Sequence, residues 1–512
     1  MNRPKKLLLI ILGGFGLSEK TEGNAVRAAK PEFLGKLFAE RPFTRIAAAG
    51  TAVGLPEGQM GDSDVGHLNI GAGRVVYQDI TRINQAIADG SFFENPALVK
   101  LLDETKASGN SLHLLGLTSN GGIHSHISHL HALLTLAKNR GLGKVFIHAF
   151  TDGRDTQPTS GVHFIQDLVR KTTEMGIGRI ASISGRYYAM DRDLRWDRTE
   201  KTYLALVHGV GNRTTDPVIA VEASYKANVT DEFLIPVVVE EAGQPIALIN
   251  PGDAIISFNF RPDRMCQLTA ALMDAAFSSF KRKEMDLSCV TFTRYSESFT
   301  SIPAAFPPLN LNETFGEVLS NARIPQFRCA ETEKFIHVTT YLNGGRESPF
   351  PLEERVLLPS PKVKSYDLKP EMAVFELGDL LMDRLHTQKY PVIVSTFANA
   401  DLVGHTGNFK ATVDAIGAID CVLSKVIPVA YDLGYDCVIT ADHGKCEQMI
   451  DEKTGEPFTE HTSNPVPFCL LSRESFELRG DGKLADVAPT LLELLELPKP
   501  SVMEGLSLVK RK

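Results

Sequence analysis

The sequence predicts an α/β protein in which mostly parallel sheets are flanked by helices. Two features of the pattern carry this. Short apolar runs alternate with amphipathic stretches along the whole chain, as in sheets covered by helices. Charged and imidazole residues also gather just past the carboxyl end of one run after another, the edge at which open parallel sheets place their ligands.

The strand candidates are 7–12 (LLLIIL), 111–117 (SLHLLGL), 144–150 (KVFIHAF), 179–184 (RIASIS), 254–260 (AIISFNF), 392–398 (VIVSTFA) and 436–441 (DCVITA). After them come, in the same order, GGFG, TSNGGIHSH, TDGRD, GRYYAMDRD, RPDR, NADLVGH and DHGKCE. Helices are predicted over 127–137, where Ile127, Leu130, Leu134 and Ala137 share a face, and over 485–496 (ADVAPTLLELLE). The proline-rich stretch 301–312 (SIPAAFPPLNLN) is the best linker by composition.

At 512 residues the chain has room for two to four domains of about 150 residues each. With 43% hydrophobic and 23% charged residues, it is neither disordered nor fibrous. A formal net charge of −8 argues against a dedicated nucleic-acid binder but leaves room for a locally basic pocket. Seven cysteines without a C-x-x-C pair predict reduced thiols in a cytoplasmic protein. The basic start imitates a secretory signal. Charge follows where a small-residue cleavage site belongs, however, so 7–12 is expected to be the first core strand. No run reaches the ~18 apolar residues of a membrane helix.

Asp401, His405, Asp442, His443 and His461 fall on strand-end loops. Mixed Asp and His donors suit Mn²⁺ or Zn²⁺. Any one of them beside a glycine also reads as a turn or cap, and it is the set that predicts a metal centre. The segment 54–74 (GLPEGQMGDSDVGHLNIGAGR) is too glycine-rich for an element interior, which places Ser63 where backbone approaches a ligand closely. Its neighbours Asp62 and Asp64 offer no general base. Ser63 is therefore either a nucleophile activated by a bound metal or the N-cap of a helix.

Arg154, Arg186, Arg192, Arg261 and Arg264 form a series on strand-end loops. Their guanidinium forks suit a small, multiply anionic substrate, and salt bridges to adjacent aspartates are the other reading. Of His124, His126, His129 and His131, helical spacing lets at most a pair converge, and His124 is retained as the residue at the strand-to-helix loop. GGFG lacks the full G-x-G-x-x-G spacing, so a dinucleotide fold is not predicted.

Nine strings occur in fixed order: GLPEGQMG-x-S-x-VGHLNIGAGR, NGGIHSHISHL, HAFTDGRDTQP, NFRPDR, AETEKFIHVTTYLNGG, SPKVKSYDLKPEM, DLVGHTGN, ADHG and HTSNPVPF. Together they resemble the cofactor-independent (2,3-bisphosphoglycerate-independent) phosphoglycerate mutases of the alkaline-phosphatase-like metalloenzymes. The resemblance runs from Leu8 to the last helix. It implies a discontinuous metal-binding, phosphatase-like domain over 1–77 and 312–512, and an inserted phosphotransferase or substrate domain over 78–311. It further implies an isomerase of glycolysis and gluconeogenesis that interconverts 3-phosphoglycerate and 2-phosphoglycerate through a phosphoserine on Ser63. Substrate contacts would fall to His124, Arg154, Asp155, Arg186, Arg192, Arg261, Arg264 and Lys334. Two Mn²⁺ ions are implied, one on Asp401, His405 and His461 and one on Ser63, Asp442 and His443. A cytoplasmic monomer acting on a small molecule, with neither nucleic acid nor membrane as partner, is expected.

The chain departs from the pattern it resembles at Gly13, where an Asp ligand of the second ion is usual; this leaves occupancy of that site open. Lys445 stands in place of Asn, and Asp62 and Asp64 in place of Asn and Glu. Either Asp62 or Lys445 compensates, or the mutase is impaired. A metal-dependent phosphohydrolase or other phosphomutase of the same superfamily, and a binding protein without turnover, are the alternative functions.

Overall fold

The structure is a computed structural model that describes residues 5–309, 311–451 and 453–511. Arg3 of the signal-like start and Asn310 of the proline-rich linker lie outside the described residues. The chain forms two compact units, Met1–Gln78 with Asn310–Lys512, and Asp79–Leu309. No helix among the described residues is long and apolar enough to cross a membrane.

In the first unit the described residues form an eight-stranded sheet. Its order is Glu353–Leu358, Gln326–Glu331, Val392–Phe397, Lys6–Leu12, Tyr435–Ala441, Val466–Leu471, Phe43–Ala47 and Gly482–Lys483. Val466–Leu471 runs against its neighbours, and the other adjacent pairs are parallel. The signal-like run is the central strand, with Leu7 to Leu12 each 0% exposed. A parallel strand covered on both faces has no solvent side to alternate with, which is why its sequence reads as an unbroken apolar run. Leu12 lies opposite both Phe397 and Ala441, so three chain segments leave the sheet together at one edge.

Five strands of this sheet, Glu353–Leu358, Gln326–Glu331, Val466–Leu471, Phe43–Ala47 and Gly482–Lys483, are not among the predicted runs, and two of them are fully buried. Gln326–Glu331 (QFRCAE) is fully buried yet half polar. Its Arg328 is held inside the fold, donating to Val338 O at 3.1 Å and to Gln326 Oε1 at 2.9 Å, with Nε 3.7 Å from Glu353. Val466–Leu471 contains Pro467, which ordinarily demotes a strand.

The second unit orders its strands Ser288–Thr291, Ala254–Ser257, Leu112–Leu117, Val145–Thr151, Arg179–Gly185, Val237–Glu241 and Asn212–Thr214. The first five are parallel, and Val237–Glu241 turns the direction. The strand predicted over 254–260 is regular only through Ser257. Beyond it the buried Asn259 side chain enters the ladder, its Oδ1 accepting from Leu117 N at 2.9 Å. The helix predicted over 127–137 continues as Ile127–Arg140 to a left-handed Gly141. The one predicted over 485–496 opens as a 3₁₀ turn, Leu484–Asp486, and continues as the helix Val487–Leu494.

The histidine cluster resolves into separate structural tasks. His126 caps the helix, its ring accepting from Ser128 N at 3.2 Å. His129 is buried against Phe260 and Phe292, with Nε2 on Asn84 Oδ1 at 2.9 Å and Nδ1 without a partner. Protonation would bury an unpaired N–H, and burial pushes its pKa down to about 3. The unfolded chain takes that proton near pH 6.5, so this unit loses stability as pH falls from there toward 3. The slope is about 1.4 kcal/mol per pH unit for such a group. Trp196, the single tryptophan, packs on Phe277 in the same unit and reports its unfolding. The urea midpoint of Trp196 fluorescence is expected to be lower at pH ~5 than at pH ~7.5. His129→Gln, which keeps a donor for Asn84 and cannot titrate, should narrow that difference.

Candidate active site

Adjacent strands of the first unit deliver its polar residues to one sheet edge. Val392–Phe397 leads to the short helix Asn399–Gly404, which carries Asp401 and ends at His405. Lys6–Leu12 leads to Gly13, and Tyr435–Ala441 leads to Asp442 and His443. Gln326–Glu331 leads to Thr332–Ile336, which carries Lys334. Ser63 opens the helix Ser63–Ala72 but is not its cap. That task belongs to Asp62, whose carboxylate accepts from Asp64 N at 2.9 Å and Val65 N at 3.2 Å. A Cβ at Gly66 would overlap the Asp442 carbonyl, so glycine is what lets this helix press against the strand end.

Asp401, His405 and His461 bring three ligand atoms within 4.8 Å of one another. Among the described residues they are the one group of three or more His, Cys, Asp or Glu that close. His405 Nδ1 donates to Thr459 O and His461 Nδ1 to Gly61 O, both at 2.9 Å. Carbonyls only accept, so each ring turns its Nε2 lone pair into the group. The two Nε2 atoms face each other at 3.0 Å, and Asp401 Oδ1 lies 3.3 and 3.4 Å from them. That oxygen is buried without a hydrogen-bond partner. Two imidazole nitrogens and a carboxylate oxygen converging in this way are a donor set that fits a divalent cation.

Ser63, Asp442 and His443 form a different kind of cluster. Lys334, 1% exposed, donates to Ser63 Oγ, to Asp401 Oδ2 at 2.7 Å and to Asp442 Oδ2 at 3.2 Å. Asp442 Oδ1 accepts from Gly14 N at 3.1 Å and His443 N at 2.9 Å. Burial works against charge on Lys334 and on both carboxylates. Asp401 and Asp442 nevertheless raise the lysine, Lys334 and His443 lower Asp401, and His443 and Lys334 lower Asp442. These acceptors are already satisfied, so the set does not fit a second ion as the first set fits its own.

The sequence neighbours of Ser63 offer no base, but the fold supplies one: His443 Nε2 lies 2.8 Å from Ser63 Oγ. Neither compensating residue suggested by the sequence reaches the cluster. Asp62 is the helix cap. The Lys445 ammonium turns away to Phe458 O at 3.0 Å and Met449 Sδ at 3.9 Å, and burial lowers its pKa. Asp64 pairs with His337 at 3.0 Å. His67 was not singled out by any motif, although its i,i+4 spacing from Ser63 puts both on one helix face. It donates from Nδ1 to Ser63 O at 2.9 Å and accepts at Nε2 from Thr396 Oγ1 at 3.0 Å. Burial pushes its pKa down to about 3, leaving a neutral strut beneath the serine.

In the second unit a cavity of about 280 Å³ is lined by Arg154, Arg186, Arg192, Arg198 and Arg264. Arg186 is 3% exposed and bridges Asp152 at 2.7 Å and Asp155 at 2.6 Å. Asp152 also accepts from Ser119 Oγ at 2.6 Å and from the Arg154 and Asp155 amides, which shapes the TDGRD turn. Arg192 and Arg261 share Asp263, at 2.6 and 3.1 Å. His124 stands between Asp155 and Asp263, 3.8 and 3.9 Å away, its pKa pushed down to about 4 by burial and then by Arg186. Arg264 is depressed by burial and then by Arg186, Arg192 and Arg154, and its Nε has no partner. Arg261, Asp155 and His124 do not line the cavity but join it through these carboxylates. Apolar periodicity carries no sign of Asp152, Asp263 or Arg198, though each stands in or beside a strand-end loop.

A mostly parallel sheet with a buried serine, a lysine and an Asp/His group that could hold a metal ion at its carboxyl edge defines the class of α/β enzymes. A family model described as the BPG-independent PGAM N-terminus matches residues 83–297. The 2,3-bisphosphoglycerate-independent phosphoglycerate mutase of Clostridium botulinum (strain ATCC 19397 / Type A) is 51% identical over 506 residues, 99% of each chain. That of Clostridium perfringens (strain ATCC 13124) is 51% identical over 509 residues, again 99% of each. The crystal structure of Leishmania mexicana phosphoglycerate mutase at low cobalt concentration is similar with a TM-score of 0.63 at 30% identity, covering 100% of this chain and 98% of that one. The chain belongs to the 2,3-bisphosphoglycerate-independent phosphoglycerate mutases.

Arg186→Ala would leave Asp152 and Asp155 facing each other in a buried site. A loss of about 3–5 kcal/mol from the second unit is expected, read from the Trp196 unfolding midpoint.

Proposed function

We propose that this chain interconverts 3-phosphoglycerate and 2-phosphoglycerate without bisphosphoglycerate, as a cytoplasmic, monomeric isomerase of glycolysis and gluconeogenesis. On this reading 1–77 with 312–512 is the metal-binding, phosphatase-like domain and 78–311 the inserted phosphotransferase domain. The observation that carries it is Ser63 Oγ, held between the Lys334 ammonium and His443 Nε2 at a helix N-terminus.

Ser63 Oγ passes its proton to His443 Nε2 and forms a bond to phosphorus, while the bond from phosphorus to the glycerate C3 oxygen breaks and that oxygen takes up a proton. Lys334 stabilises the anionic phosphoryl oxygens. The second transfer reverses these bonds with the C2 oxygen of glycerate. Arg154, Arg186, Arg192, Arg261 and Arg264, with His124 and Asp155, retain glycerate between the transfers. Burial, and then the neighbouring Arg186, Arg192 and Arg154, lower the Arg264 pKa, and its unpaired Nε supports an anion there. A divalent ion on Asp401, His405 and His461, Mn²⁺ as the family resemblance implies, would supply Lewis-acid polarisation of phosphoryl oxygens when bound.

A coupled assay with 3-phosphoglycerate and Mn²⁺, free of bisphosphoglycerate, should show formation of 2-phosphoglycerate and an intact mass one phosphoryl group heavier. Ser63→Ala should lose more than about 10³-fold in rate together with the mass increment, the scale on which removal of a nucleophile is felt. Release of inorganic phosphate in place of 2-phosphoglycerate would instead make the chain a phosphohydrolase.

A further inference from the structure

The structure assigns the place of a second cation to the Lys334 ammonium, so that this chain holds one divalent ion, on Asp401, His405 and His461. The catalytic meaning of this rests on the mutase reading above, whereas the ion count does not.

Asp401 and Asp442 follow the two strands that flank Lys6–Leu12, and both are buried, at 3% and 0% exposure. Two carboxylates in such surroundings require cationic compensation. Gly13 leaves the sheet between them. A Cβ there would stand 3.0 Å from Lys334 Cε, 3.0 Å from Phe397 O and 3.3 Å from Asp401 Cβ. Any side chain at position 13 therefore crowds the path of Lys334, and glycine leaves that path open.

The ammonium has three N–H donors and meets three acceptors: Ser63 Oγ, Asp401 Oδ2 and Asp442 Oδ2. It leaves no acceptor of this cluster in want of a cation. An ion on Ser63, Asp442 and His443 would have one carboxylate of its own and would lie against an ammonium, at a cost in like-charge repulsion. The Asp401, His405 and His461 group differs, because its carboxylate oxygen has no hydrogen-bond partner and its two ring nitrogens face each other with no lysine or arginine set among them.

The test is the metal content of purified full-length protein saturated with Mn²⁺, freed of loosely held ion and counted by elemental mass spectrometry. The wild type is expected to retain about one ion per chain and His461→Ala close to none. Gly13→Asp, which adds a carboxylate beside Lys334 and Asp401, is expected to rise to about two. Two ions in the wild type, one ion surviving His461→Ala, or an unchanged count in folded Gly13→Asp would each overturn the assignment. Circular dichroism establishes that the variants are folded, and if Gly13→Asp is not, the other two counts still decide. A wild type with one ion and no mutase activity would sink the proposed function and leave the assignment standing, whereas an active wild type with two ions would do the reverse.

Discussion

The catalytic edge of the first unit depends on how two buried carboxylates are neutralised. Asp401 and Asp442 follow strands on either side of the central one, in surroundings where an uncompensated charge costs several kcal/mol. Lys334 reaches both from a neighbouring strand end, and the backbone amides of Gly14 and His443 hold the second oxygen of Asp442. What this arrangement leaves over is specific. It leaves one Asp401 oxygen facing two histidine nitrogens, and one serine hydroxyl facing the same ammonium and His443. The proposed metal group and the proposed nucleophile are thus two outcomes of a single charge-balance problem.

The second unit meets the opposite problem. Arg154, Arg186, Arg192, Arg198 and Arg264 surround one cavity in a chain whose formal net charge is −8. Asp152, Asp155, Asp191 and Asp263 keep them apart and aimed, by pairing with Arg186, Arg198, Arg192 and Arg261. Arg264 is left with an unpaired Nε and depressed by burial and its neighbours. Net charge describes the exterior of such a protein, while binding preference is set by a handful of guanidinium groups crowded into a small volume.

Much of this was legible in the sequence because parallel strands announce themselves. Leu7 to Leu12, buried on both faces, had to be an unbroken apolar run, and the polar residues after each run had to collect at one edge. Gln326–Glu331 was hidden for the converse reason: Arg328 and Gln326 are hydrogen-bonded to each other inside the core, so a buried strand carries a polar pattern. At the site, Asp401 and His405 belong to the set that predicted a metal centre, and the structure brings both beside His461. The partnership of Ser63 with His443 joins residues 380 positions apart, and no local pattern encodes it. The same holds for Asp62, which local rules allow as a cap or as a ligand until the helix start is known. At Gly13 the placement of the long side chains could not be read from the sequence. Lys445 turns toward Phe458, and Lys334, assigned from sequence only to the substrate, occupies the space beside the glycine.

The most direct test of this charge balance is anomalous diffraction from crystals of the full-length protein soaked in Mn²⁺. The account predicts one anomalous peak, bounded by Asp401, His405 and His461, with the Lys334 ammonium in contact with Ser63, Asp401 and Asp442. A second peak among Ser63, Asp442 and His443, with Lys334 displaced from the carboxylates, would contradict it.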